Sequence, residues 1–203
     1  MERHPTQQKI LDETSRIIET SGEASVRVHD IEVAVDVTAP SIYHFFGSRE
    51  GLVRAAQAER VLRGFSQFGE VSEAILGQVS SRAELREAIR RLLTLVYEPS
   101  RATARLQRIF ALGSAEGRPE LAALIGDATR NFLHENAEQF KVFKDKGWTR
   151  PDLDLEAFSQ WLGGQILGRI YIEIGCEPVP NPAWDAISQE AVAFVVFGSL
   201  SDD

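Results

Sequence analysis

Apolar residues recur every three to four positions along almost the whole of this chain, and nowhere between turn signals do they alternate strictly. A period near 3.6 lines one face of a helix, whereas a half-buried strand needs a period of two. The pattern therefore predicts an all-α protein of nine or ten helices with no sheet. Ile10, Thr14, Ile17 and Ile18 trace the buried face of a first helix, which Gly22 stops. Short helical segments follow at 28–34 and 39–46. Ser48 offers an N-cap to a longer helix carrying Leu52, Val53, Ala56, Val61, Leu62 and Phe65. Ser81 and Glu84 form a capping box ahead of Leu85, Ile89, Leu92, Leu93 and Val96, and Pro99 ends that run. The next helix begins near Ser100 and breaks between Gly113 and Gly117. Pro119 opens another, with Lys144, Lys146 and Gly147 closing it as the helix dipole favours. Asp154 caps a helix through Phe158, Trp161 and Ile166 to Ile170, and Asn181-Pro182 starts the last.

At 203 residues the chain can hold one domain or two small ones. Its single cysteine, Cys176, excludes an intrachain disulfide framework and a cysteine-based zinc site. The longest apolar run, 191–197, is far short of the roughly 20 residues that span a bilayer. The opening Met-Glu-Arg-His-Pro has no apolar signal core. These features predict a cytoplasmic protein with no membrane partner. A formal net charge of −8 argues against broad wrapping by nucleic acid, so any DNA contact is local.

Two short helices joined by three or four residues near the N-terminus have the pattern of a helix-turn-helix. The residues there are Val28-His-Asp-Ile-Glu-Val-Ala-Val-Asp-Val-Thr38, followed by Ala39-Pro-Ser-Ile-Tyr-His-Phe-Phe-Gly-Ser-Arg-Glu-Gly-Leu52. In Ile31, Val37, Thr38, Ile42, Tyr43, Phe46, Ser48, Arg49 and Glu50 this stretch strongly resembles the DNA-binding domain of the TetR/AcrR family of transcriptional repressors. The resemblance implies that Tyr43 and Arg49 contact DNA phosphates. From the residues themselves, Thr38 can cap the third helix and present a hydroxyl to a phosphate. Ser41, Tyr43 and His44 project from it, while Ile42, Phe45 and Phe46 anchor it. Arg27 and His29, at the start of the second helix, complete the DNA-binding candidates. The turn departs from the family in carrying Asp36 where glycine is usual, and Pro40 stands in the first turn of the recognition helix. Residues 1–60 hold seven basic against ten acidic side chains, and Thr38 to Phe46 contains no Lys or Arg.

The expected organisation is a helix-turn-helix DNA-binding domain over 1–47 and a helical ligand-binding and dimerisation domain over 48–203. Gly163, Gly164 and Gly168 are glycines inside one helix, each costing about 1 kcal/mol relative to alanine, which points to close helix packing. The family's last two helices form a dimer interface. That resemblance marks Trp161, Gly164, Gly168, Trp184, Ile187, Ala191, Phe194 and Val195, with packing inside one subunit as the alternative. The aromatic-rich stretch from Phe65 to Trp161, with few polar groups, fits a helical cage for a mostly apolar ligand. Phe65, Phe68, Leu93, Tyr97, Phe110, Asn131, His134, Trp161 and Gln165 are its candidate lining.

His134 and Glu138, four residues apart, read as an ion pair rather than a metal site. Arg101, Arg105 and Arg108 read as a solvated basic face. No GxSxG, Walker loop, GxGxxG or HExxH pattern occurs, so neither an enzyme nor a cofactor or metal protein is expected. The combined reading is a dimeric repressor that binds a double-stranded, (pseudo)palindromic DNA operator and is released by a small effector. A TetR-fold binding module without specific DNA binding is the alternative.

Overall fold

The computed structural model describes residues 4–177 and 179–199; among them are nine helices of eight residues or more, and no strand. They are α1 (Pro5–Ser21), α2 (Val28–Val35), α3 (Ala39–Phe46), α4 (Arg49–Leu76), α5 (Arg82–Tyr97), α6 (Ala102–Gly113), α7 (Pro119–Asp145), α8 (Leu155–Gly168) and α10 (Pro182–Phe197), with a single helical turn, α9 (Ile170–Glu173), before the last. The all-α expectation is borne out. The eighth helix is expected from its apolar spacing to reach Ile170, but its ladder ends at Gly168, and an i→i+3 bond from Ile172 to the Arg169 carbonyl starts the turn.

Most ends follow the local chemistry. The N–H of Gly22 bonds the Ile18 carbonyl, Asp154 accepts from Ala157 N–H at 3.0 Å, and Asn181 accepts from Trp184 N–H at 3.1 Å. The capping box at α5 is shifted. Ser81 Oγ accepts from Glu84 N–H at 3.2 Å, but the Glu84 carboxylate returns to Ser80, accepting from its N–H and hydroxyl at 2.7 Å each. A short 3-10 turn, Pro99–Arg101, precedes α6.

The chain divides into two compact units, Met1–Arg63 with Phe110–Gly126, and Gly64–Ile109 with Asp127–Asp203. In the first, Ile10, Leu11, Val26, Ile31, Ile42, Leu52, Val53 and Ala56 make an apolar core with no more than 1% exposure each. α4 begins tightly against the end of α3. A Cβ on Gly51 would stand 2.0 Å from the Phe46 carbonyl oxygen, so only glycine fits there. In the second unit, α5 supplies Leu85, Ile89, Leu92, Leu93, Val96 and Tyr97 to a core completed by Phe140, Phe143, Leu153, Phe158, Val192, Val196 and Phe197.

Candidate nucleic-acid interface and effector core

The geometry of the first unit is that of a helix-turn-helix. α2 ends at Val35, and Asp36 turns the chain in the left-handed conformation, φ 53° and ψ 57°, which an aspartate tolerates better than most side chains. α3 then presents two faces. Ile42 is fully buried and Phe45 and Phe46 pack partly on the same core, while Tyr43 is 45% exposed and His44 and Thr38 also stand in solvent. Ser41 is half-buried. Arg27 and His29 are exposed at the start of α2.

One role inferred from sequence comes out differently, and one side chain has intrachain partners that spacing did not indicate. Thr38 occupies the N-cap position of α3 but makes no capping bond; its hydroxyl lies 3.1 Å from that of Ser41. Glu32, from α2, caps instead, accepting the Ala39 N–H at 2.5 Å. A carboxylate there also suits the positive end of the helix dipole. Arg49 turns its guanidinium inward, Nε donating to the Val26 carbonyl at 2.9 Å and Nη2 to that of Glu23 at 3.0 Å. It ties the start of α4 to the loop ahead of α2, and sequence spacing gave no sign of that.

Ion pairing tempers the acidity of the head. Arg118 bonds Glu23 and lies 2.9 Å from Glu50, and Arg54 bonds Glu120. The Arg118 hydrogen bond is the main reason the Glu23 carboxyl sits below its ordinary range; burial opposes it, and Gln57 donates a further bond. Glu2 and Arg3, counted in the charge balance above, lie outside the described residues.

The second unit is different inside. Arg169 is 1% exposed and Arg105 5% exposed, so Arg105 is no member of a solvated stripe. Arg105 grips Glu173 with Nε at 2.9 Å and Nη2 at 2.5 Å, and its Nη1 donates to the carbonyls of Val96 and Glu98. Arg169 bonds Glu173 at 2.9 Å and Asp185 at 3.2 Å, its guanidinium 5.7 Å from the Tyr97 ring and 5.8 Å from that of Trp184. Two cations thus face two carboxylates. Beside them, the Tyr97 hydroxyl and Trp184 Nε1 are buried with no hydrogen-bond partner. Arg108 also leaves the expected solvated face, lying over the Phe65 ring at 5.2 Å.

The ligand candidates are dispersed. Phe65 stacks on Phe132 at 4.3 Å with planes 9° apart, and Phe68 meets Phe132 edge-on at 6.0 Å. Leu93 and Tyr97 are core residues, and Trp161 packs partly on the same core. Asn131, His134 and Gln165 are exposed, and Phe110, 55% exposed, belongs to the first unit. The expected His134–Glu138 pair gives way to His134 Nδ1 and Glu156 at 2.6 Å, two side chains from different helices. That contact raises the His134 pKa.

Along α8 and α10 the dimer candidates divide. A Cβ at Gly163 would meet Leu133 at 3.3 Å, which is packing within the chain, but nothing lies within 4 Å of Gly164 or Gly168. Ile187 and Phe194 are exposed, whereas Trp161, Trp184, Ala191 and Val195 are half-buried.

An all-α chain with such a head has the class of a helix-turn-helix regulator. Residues 10–56 match the family model of bacterial regulatory proteins of the tetR family. The HTH-type transcriptional repressor KstR2 of Rhodococcus jostii (strain RHA1) is 27% identical over 76% of this chain and 72% of its own. A TetR-family transcriptional regulator from Mesorhizobium loti superposes with a TM-score of 0.71 at 15% identity, covering 95% of this chain and 96% of that one. A transcriptional regulator from Saccharomonospora viridis in complex with choline does so with a TM-score of 0.66 at 19% identity, over 94% and 96%. Over residues 10–56 in sequence, and over nearly the whole chain in fold, the protein is similar to transcriptional regulators of the TetR family. No helix among the described residues is long and apolar enough to cross a membrane.

Proposed function

We propose that the protein is a ligand-responsive repressor, binding a (pseudo)palindromic DNA operator as a homodimer and released by a small, largely apolar effector. The observation that carries this reading is the division of α3, with Ile42 sealed in the core and Thr38, Tyr43 and His44 left in solvent. The repressor among its relatives supports the sign of regulation. In this reading residues 1–47 bind DNA, and 48–203 bind effector and partner subunit. Tyr43 positions the head on a phosphate, while Ser41 and His44 read base edges. Arg49 acts chiefly by holding the head together, since two of its donors are spent on carbonyls.

The open space over Gly164 and Gly168 and the exposure of Ile187 and Phe194 support a partner subunit on α8 and α10. The orphan Tyr97 hydroxyl and Trp184 N–H support an effector with a hydrogen-bond acceptor, because buried donors normally have partners. α4 supplies Arg49–Arg63 to one unit and Gly64–Leu76 to the other, so it is the coupling element, worth about 1–3 kcal/mol between effector and operator. One observation favours a second reading, a TetR-fold module without DNA binding: the recognition helix carries no Lys or Arg.

Selection of bound sequences from random duplexes, followed by gel shift, tests both. The repressor reading expects half-sites about one helical turn, roughly 34 Å, apart or a multiple of it. Tyr43→Phe weakens all sequences alike, and Ser41→Ala relaxes one position per half-site. Failure to enrich any sequence establishes the second reading.

A further inference from the structure

In the first unit every described arginine has an anion or a backbone carbonyl within reach. Arg16, Arg54, Arg60, Arg63 and Arg118 pair with carboxylates, and Arg27 and Arg49 donate to carbonyls. In the second unit the buried Arg105 and Arg169 are balanced by Glu173 and Asp185. Among the described arginines that are withdrawn from solvent, Arg108 is the exception. Its guanidinium has no carboxylate, carbonyl or hydroxyl partner, and it is withdrawn from water enough for burial alone to lower its pKa. It remains a cation at any physiological pH. Arg91 and Arg101 also lack a partner, but both stand in solvent.

Arg108 lies against an aromatic cluster. The Phe65 ring lies 5.2 Å away, and a Cβ at Gly64 would stand 3.5 Å from its Nη2. Behind Phe65 come Phe132, stacked, and Phe68, edge-on. A ring face offsets part of the lost hydration of a cation, but it accepts none of the five N–H bonds a guanidinium can donate. A half-buried arginine with none of its donors bonded within the chain is set up for an anion supplied from outside.

We propose that Arg108 is the anion-binding residue of the effector site. The effector is then an amphipathic anion, its carboxylate or phosphate head bonded by Arg108 and its apolar body laid against Phe65, Phe68 and Phe132. This rests on the effector reading above and sharpens it, naming charge as what that site selects.

Calorimetric titration of the full chain with matched probes tests it: decanoate, decyl phosphate and decanol below their aggregation limits, and 2-naphthoate against 2-naphthol. The anion is expected to bind about tenfold tighter than its neutral partner in whichever body binds. The ratio of decyl phosphate to decanoate identifies the preferred head. Arg108→Met is expected to bring the anion down to the neutral probe's affinity, with Arg108→Lys in between. Without ligand, Arg108→Met is expected to melt at or above the wild-type temperature, because it removes an unpaired, half-buried charge. A structural arginine would instead give a lower melting temperature.

Equal binding of anion and alcohol by the wild type, binding of no probe, or an anion preference surviving in Arg108→Met overturns the proposal. The repressor reading fails separately, through the DNA selection, and that failure leaves the charge preference standing.

Discussion

The two units bury different things. The head closes on an aliphatic core in which the buried polar groups are uncharged: the Thr14 hydroxyl bonds the Ile10 carbonyl at 2.7 Å, and the Ser15 and Ser114 hydroxyls have no partner. The second unit buries two guanidinium groups, strands a third against a phenylalanine ring, and leaves a tyrosine hydroxyl and an indole N–H unpaired. A DNA-reading head works by holding a fixed shape, for which apolar packing suffices. In the proposed reading the second unit's unpaired groups await an effector, and such groups cost stability until it arrives.

The sharpest way to break that contrast is to remove the carboxylate both buried arginines share. Glu173→Ala leaves Arg105 and Arg169 under-compensated, and is expected to destabilise the second unit by about 3–5 kcal/mol in urea denaturation. Burial pushes the Glu173 carboxyl up, but the hydrogen bonds from Arg105 and Arg169 more than offset this, and its pKa falls below the ordinary range. A depressed carboxylate contributes stability that is present above its unfolded pKa and lost as pH falls through the folded one. The acid limb of the wild-type stability curve, below about pH 4.5, is therefore expected to flatten in Glu173→Gln.

In the head the matching experiment is Ile42→Ala, which opens a cavity at a fully buried position. A loss of about 2–5 kcal/mol is expected, with loss of operator binding because the same residue seats the recognition helix. An Ile42→Ala protein that melted like the wild type would show that α3 is not anchored as described.

The proposed assembly offers a further contrast between the units. Gly168→Leu places a large side chain in space left open on α8, and monomers are expected by sedimentation. A variant that stayed dimeric would move the interface elsewhere. Smaller again is Glu32→Ala, which removes the cap from α3 and is expected to cost about 1 kcal/mol, with weaker operator binding. The smallest effect concerns His134, whose pKa is raised by its hydrogen bond to Glu156. A raised folded pKa gives stability that is complete below the unfolded value and fades as pH rises through the folded one. Glu156→Gln is expected to lower the His134 titration midpoint followed by NMR, with no visible change in melting.

Local chemistry was legible wherever neighbours in sequence decide the outcome. The period of the apolar residues gave the all-α class, and the caps at Asp154 and Asn181 and the stop at Gly22 follow from residues within three or four positions. The left-handed Asp36 likewise follows from the need to turn between two short helices. The helix-turn-helix was legible for the same reason, being contiguous.

What the sequence could not decide was every choice among distant partners. Thr38 stands in the N-cap position, yet Glu32 supplies the cap from seven residues away. His134 has Glu138 one turn along its own helix, yet it joins Glu156. Arg101, Arg105 and Arg108 look alike as a stripe, and only tertiary structure sends the first to solvent, the second to Glu173 and the third to Phe65. Spacing along a helix fixes which side chains share a face, because the backbone hydrogen bonds set a rigid 3.6-residue turn. Which anion a buried cation meets depends on desolvation and on the crossing of helices far apart in sequence, and these exist only once the chain has packed.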